Sequence, residues 1–174
     1  MVYAQEPHLS VSREVDPTPL PDAIPKVKEV GASSAPLTSA AYFIGARCQP
    51  YNDDFMLCKS QSSTGNPEFD CLKEGRRVTR CASSVIQDLN TYCSESFKLH
   101  WKCLEDSNHE FKNCRKAEIL FNKCVFDNLK LEKKIPGVKE ADQIHLKKKP
   151  LYRPLFEDTS SVSAFKQAQK EGKI

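Results

Sequence analysis

Apolar positions recur along the middle of the chain at helical spacing, each series anchored on a cysteine. Tyr51 and Phe55 stand three and seven places after Cys48. Val78 and Val85 extend the line of Cys71 and Cys81. Phe97 follows Cys93 by four places and Leu104 follows it by eleven. Ala117, Phe121 and Val125 stand three, seven and eleven places after Cys114. Steps of three and four with polar residues between them mark the buried stripe of an amphipathic helix. The pattern predicts four helices.

Local signals mark the ends of these helices. Asn66-Pro67-Glu68 reads as an N-cap, a proline at the first helical position and an acid in the first turn. Ser107 and Glu110 have the spacing of a capping box. Pro50 is expected to open the first cysteine helix, with Asn52, Asp53 and Asp54 near its first turn and a separate short helix over roughly 38–46 before it. Pro136 and Gly137 are expected to end the last helix. The stretches QSSTGN and EDSN read as turns.

The cysteines turn four helices into two hairpins. They fall into the pairs Cys48/Cys58, Cys71/Cys81, Cys93/Cys103 and Cys114/Cys124, each enclosing nine residues. A gap of ten positions on a helix is about 15 Å of rise and leaves the two sulfurs about 80° apart, on one broad face. An antiparallel partner with the same spacing meets both at matching heights. Eight cysteines allow about 105 connectivities, so spacing alone leaves the pairing open. Helix geometry selects outer with outer and inner with inner: Cys48–Cys81, Cys58–Cys71, Cys93–Cys124 and Cys103–Cys114. Hairpins this small seldom hold together without a staple, and a bridge closing a short loop contributes roughly 3 kcal/mol. Zinc is a poor alternative, because its structural ligands come in pairs two to four residues apart.

Four regions follow, in an all-α plan of two stapled hairpins in tandem between extended arms. Residues 1–40 hold six of the eleven prolines, in runs such as DPTPLPDAIP, and read as an extended arm. The first hairpin is placed at 41–82 and the second at 83–132. Residues 133–174 read as a basic extended arm, with the apolar and aromatic anchors of KKKPLYRPLF suited to a groove.

Charge narrows the partners. Residues 41–132 carry 13 basic and 13 acidic side chains, whereas 133–174 carry ten and five. The net charge of +3 therefore reflects the tail and not a basic fold. No nucleic-acid partner is expected, since that needs a basic patch on the folded surface. No stretch approaches the roughly 20 apolar residues of a membrane helix. Catalysis is also unexpected. With only six glycines, the chain has no phosphate-cradling loop, and it contains neither G-x-S-x-G nor H-E-x-x-H. His100 reads as a packed or surface histidine and His109 as an exposed turn residue. Asp53-Asp54 and Glu105-Asp106 read as helix-end acids. No cofactor and no metal is expected.

Lasting disulfides need an oxidising compartment. The N-terminus shows no signal-peptide core and makes a poor presequence, with three basic and five acidic residues in the first 40. No N-x-[ST] sequon occurs. The mitochondrial intermembrane space is the expectation, with oxidation trapping the chain there.

At this point four CX9C motifs in two hairpins resemble the CHCH (coiled-coil-helix–coiled-coil-helix) family. The strings GARCQPYNDDFMLC, FDCLKEGRRVTRC, HWKCLE and FNKCVFDNLK are similar to the four-CX9C accessory subunits of mitochondrial respiratory complex I. The resemblance covers about 38–132. It implies import and oxidation by the intermembrane-space disulfide relay. It also implies a non-catalytic place without a redox centre, peripheral on the inner membrane, on the intermembrane face of the membrane arm beside membrane-embedded subunits. In such proteins apolar side chains beside a cysteine guide the import oxidase. Phe55, Met56 and Leu57 beside Cys58 fit, as do Phe97 and Trp101 around Cys93 and Cys103. The same side chains also serve as hairpin core. Two other readings remain: a soluble intermembrane-space CHCH assembly factor or metallochaperone, which usually adds a C-C or C-x-C site that this chain lacks, and a thiol oxidoreductase, which would want an exposed C-x-x-C.

Overall fold

The computed structural model describes residues 22–24, 26–28, 30–63, 66–147 and 157–174. Most of DPTPLPDAIP, Thr64 and Gly65 of the first turn, and nearly all of KKKPLYRPLF lie outside them. Among the described residues every regular element is helical. Helix α1 spans Ser34–Gln61, α2 Pro67–Asp70, α3 Leu72–Tyr92, α4 Ser94–Asp106, α5 Arg115–Leu129 and α6 Thr159–Lys170. Short 3-10 turns stand at Phe111–Asn113, Glu140–Asp142 and Ile144–Leu146.

Helix α1 runs straight through Pro50. The expected break there and the separate helix over 38–46 are not found. It begins at Ser34, inside the stretch read as an arm, and Pro36 falls in its first turn, where a missing N–H costs nothing. Pro50 removes the hydrogen bond to the carbonyl of Ala46, and interior proline costs about 3 kcal/mol. Both residues face solvent, so that carbonyl can turn to water. Packing on either side of the proline supplies the rest. Before it Ala40, Phe43 and Cys48 are buried, and after it Phe55 packs over Gly75 and Cys58 is bridged to Cys71. Asn52, Asp53 and Asp54 consequently lie in mid-helix and exposed, not in a first turn.

Other ends follow their local chemistry, not always as expected. Asn66 does cap α2, its side-chain oxygen accepting from the Phe69 N–H at 3.3 Å, with Pro67 at the first helical position. The Ser107/Glu110 capping box does not form. Ser107 instead ends α4, and Asn108 and His109 take left-handed conformations with φ of 51° and 61°. The N–H groups of Ser107 and His109 both donate to the Leu104 carbonyl, at 3.2 and 2.7 Å. Helix α5 ends at Leu129, before Pro136-Gly137, because Lys130 adopts the left-handed cap with φ 55°. Gly137, with φ 75°, sits in a later turn. The tail is not extended throughout. Asp158 accepts from the Ser161 N–H at 2.7 Å and opens α6, which packs on α4 and α5.

Four bridges clamp the antiparallel pairs. Cys48–Cys81 and Cys58–Cys71 join α1 to the chain of α2 and α3, and Cys93–Cys124 and Cys103–Cys114 join α4 to α5. Their Cα–Cα distances are 5.8 to 5.9 Å. At the far end of the first hairpin a Cβ on Gly75 would stand 3.3 Å from the Phe55 ring. The absence of a side chain there lets α3 approach α1.

One core serves both hairpins. Ala40 and Phe43 of α1, Val85, Ile86 and Leu89 of α3, Phe97 of α4, and Phe121 and Val125 of α5 pack in a single cluster. Phe121 stands at its centre. Its ring lies 5.3 Å from Phe97, stacked, and 5.3 Å from Phe43, edge to face. Helix α1 is therefore shared: its C-terminal half pairs with α3, and its N-terminal half lies on the second hairpin. A smaller cluster of Cys103, Leu104 and Cys114, with Phe111 against it, fills the far end of that hairpin. Phe121→Ala should cost about 3–5 kcal/mol in urea unfolding of the oxidised protein. Phe55→Ala, at the thin tip, should cost less.

Candidate functional site

Two places carry the chemistry worth weighing: the bridges with their flanking apolar side chains, and a buried polar cluster where α1 meets the second hairpin. All eight cysteines are oxidised. Cys48, Cys71, Cys81, Cys93, Cys103 and Cys114 are buried, and Cys58 and Cys124 are half-buried.

The residues proposed to guide oxidation are scattered. Leu57 and Met56 stay exposed on α1, each at 56%. Phe55 is half-buried over Gly75. Phe97 lies in the shared core, and Trp101 packs half-buried against it. Tyr51, on the same sequence stripe as Phe55, is exposed.

The polar cluster was not expected. Glu118 of α5 and Lys133, just past the helix, form a buried ion pair. Arg115 Nη1 also reaches the Glu118 carboxylate, at 2.5 Å. Lys133 Nζ sits 4.0 Å from the Tyr42 ring centroid and 4.4 Å from that of Phe111, so two aromatic faces line its pocket. His100, 1% exposed, pairs through Nδ1 with Ser39 Oγ at 2.7 Å. Its Nε2 has no hydrogen-bond partner among the described residues. His109, expected to be exposed, is half-buried, its Nδ1 3.2 Å from Thr38 Oγ1.

The protonation states follow from the surroundings. Burial pushes the His100 imidazole down to about 4, against the partial counter-pull of Glu118. Burial alone would raise Glu118, but Lys133 and Arg115 outweigh it and hold the carboxyl below its ordinary value. Burial lowers Lys133, with Glu118 opposing. The cluster is thus an ion pair beside a neutral histidine. Thr38, Ser39, Tyr42 and Phe43 lie on one side of α1, and every one of them faces this junction. Among the described residues no group of three His, Cys, Asp or Glu side chains stands close enough to hold a metal ion. None of their helices is long and apolar enough to cross a membrane.

No family model matches the chain. Curated proteins do. It is 62% identical over 138 residues to the NADH-ubiquinone oxidoreductase 20.8 kDa subunit of Neurospora crassa, covering 79% of this chain and 75% of that protein. The chain belongs to the family of NADH–ubiquinone oxidoreductase accessory subunits. It is also 40% identical over 91 residues to NADH dehydrogenase (ubiquinone) 1 alpha subcomplex subunits 8-A and 8-B of Arabidopsis thaliana. Those matches cover 52% of this chain and 82% and 83% of the plant proteins. For a subunit of this family, the frame of stapled helices is the feature to interpret, and the buried cluster is what closes that frame.

Protonation of His100 should make the frame acid-sensitive. The folded value lies below the ordinary 6.5, so the unfolded chain binds the proton first and stability is lost as pH falls from 6.5 towards about 4. The loss from this group is about 3 kcal/mol at the low end. Urea unfolding with the bridges intact, at pH 7 and pH 4.5, should show this fall in the native chain. The fall should be smaller in His100→Phe.

Proposed function

We propose that the chain is a non-catalytic structural accessory subunit of mitochondrial respiratory complex I. It braces the intermembrane-space face of the membrane arm and is needed for assembly and stability of the complex. The observation that carries this reading is the 62% identity to the Neurospora subunit over most of both chains. The physical form supports it. Four bridges and one shared core make a stiff body. Every cysteine is committed to a bridge, which suits a strut better than a thiol catalyst.

Entry into the intermembrane space by the disulfide relay belongs to the same reading. Phe55 and Leu57 beside Cys58, and Phe97 and Trp101 around Cys93 and Cys103, are the side chains proposed to dock on the import oxidase. Phe97 is buried in the finished core, so its docking has to precede folding. Leu57 is exposed on the folded chain and can be changed with little loss of stability. Leu57→Ala should slow oxidation in isolated mitochondria several-fold without altering the urea midpoint of the folded chain.

Native gels of detergent-solubilised mitochondria test the assignment. A tagged chain should migrate with the NADH dehydrogenase activity of the large complex, and its depletion should reduce that band. A tagged chain that runs only as a free small species contradicts the assignment.

A further inference from the structure

Residues 131–147, which follow the last cysteine helix, fold back on the second hairpin as a strap. Gln143, buried, ties the strap to itself. Its Oε1 accepts from the Ile135 N–H at 2.9 Å, and its Nε2 donates to the carbonyls of Ile135 and Val138 at 3.1 and 2.9 Å. The 3-10 turns at Glu140–Asp142 and Ile144–Leu146 complete its hydrogen bonding. Of its apolar side chains Leu131, at its start, packs half-buried on the shared core. Val138, Ile144 and Leu146 are exposed. The deep attachment is Lys133.

The hole that takes Lys133 is built by several elements. Glu118 and Arg115 come from α5, Tyr42 from α1 and Phe111 from the 3-10 turn. Phe111 lies within the loop closed by Cys103–Cys114 and packs on that bridge and Leu104. Its ring is 5.6 Å from His100 and 5.9 Å from Tyr42. The segment that carries this wall is closed at its base by Cys103–Cys114. We infer that the strap is a latch gated by that bridge: Lys133 docks on Glu118 only when Cys103–Cys114 holds Phe111 against them. A lysine ammonium loses its water on entering this site, and it stays only if carboxylate and aromatic faces are all in place. The strap therefore seats after the second hairpin has been oxidised, and reports that oxidation to the C-terminal tail. This inference does not depend on the assembly partner.

Coupling of this kind is reciprocal, so the latch must also protect the bridge. The test uses the full oxidised chain. Purified wild type, Lys133→Met, Glu118→Gln and Phe111→Ala are compared by hydrogen exchange and by equilibration in glutathione buffers. Alkylation and mass spectrometry then follow each bridge as it accepts two electrons and two protons from two glutathione thiols. The Ile135, Val138, Gln143 and Leu146 amides should exchange about 10-fold faster or more in Lys133→Met and Phe111→Ala, with α3 amides unchanged. In Lys133→Met and Glu118→Gln the Cys103–Cys114 equilibrium should move toward the dithiol by about the same factor, and Cys48–Cys81 should not move. Unchanged strap exchange in Phe111→Ala, or an unchanged Cys103–Cys114 equilibrium in Lys133→Met, overturns the inference. Loss of α3 protection in both charge variants overturns it too, because the strap would then belong to the core and not to a latch.

Discussion

Everything in this molecule depends on antiparallel helices being fastened at two heights. Each fastened pair is too small to bury a self-sufficient core. The bridges close sequence separations of 33, 13, 31 and 11 residues. Loop-closure entropy assigns each about 3 to 4 kcal/mol. The inner loop of each hairpin is nested within the outer one, so these contributions do not simply add. Their greater effect is on register. Two fixed points along a helix pair leave it no freedom to slide or rotate, and the stripes of Phe97, Phe121 and Val125 are then held at one face.

Register alone would give two independent hairpins. The second constraint is α1, which is long enough to serve both. Its passage through Pro50 is the cost of that arrangement, and it is met by anchoring on both sides: Phe43 on Phe121, Arg47 on Asp88 at 2.6 Å and Cys48 on Cys81 before the proline, and Phe55 over Gly75 and Cys58 on Cys71 after it. With α1 in place, the polar residues on its inner side find partners in the second hairpin. Ser39 reaches His100, and Tyr42 covers Lys133. The closing charge, Lys133, comes from just beyond α5. A frame built this way is stiff in its middle and thin at the tip around Phe69, Met56 and Leu57, all of which are exposed.

The hairpins were legible because a spacing of nine between cysteines has few solutions once helices are assumed, and the apolar stripes demanded helices. The junction was not. A stripe says which side of a helix is buried but not against which neighbour, so Phe121 reads the same whether it meets its own hairpin or α1. Pro50 misled because local preference is overruled by packing at both ends of a helix. The tail helix was hidden behind a Pro- and Lys-rich stretch, although Asp158 ahead of Thr159, Ser160 and Ser161 carried a usable cap signal. Glu118 was readable in principle. It sits three places before Phe121 and seven before Val125, a carboxylate on the buried stripe that requires a partner. Nothing local marked Lys133 as that partner, since its neighbours are as basic and polar as the rest of the tail.

The frame rests on which cysteines are joined to which. Non-reducing peptide mapping of the mature protein from mitochondria tests it directly. Four linked peptide pairs are expected, Cys48 with Cys81, Cys58 with Cys71, Cys93 with Cys124 and Cys103 with Cys114, and no alkylatable thiol. A free thiol among the eight, or a bridge between any of the first four cysteines and any of the last four, would contradict it.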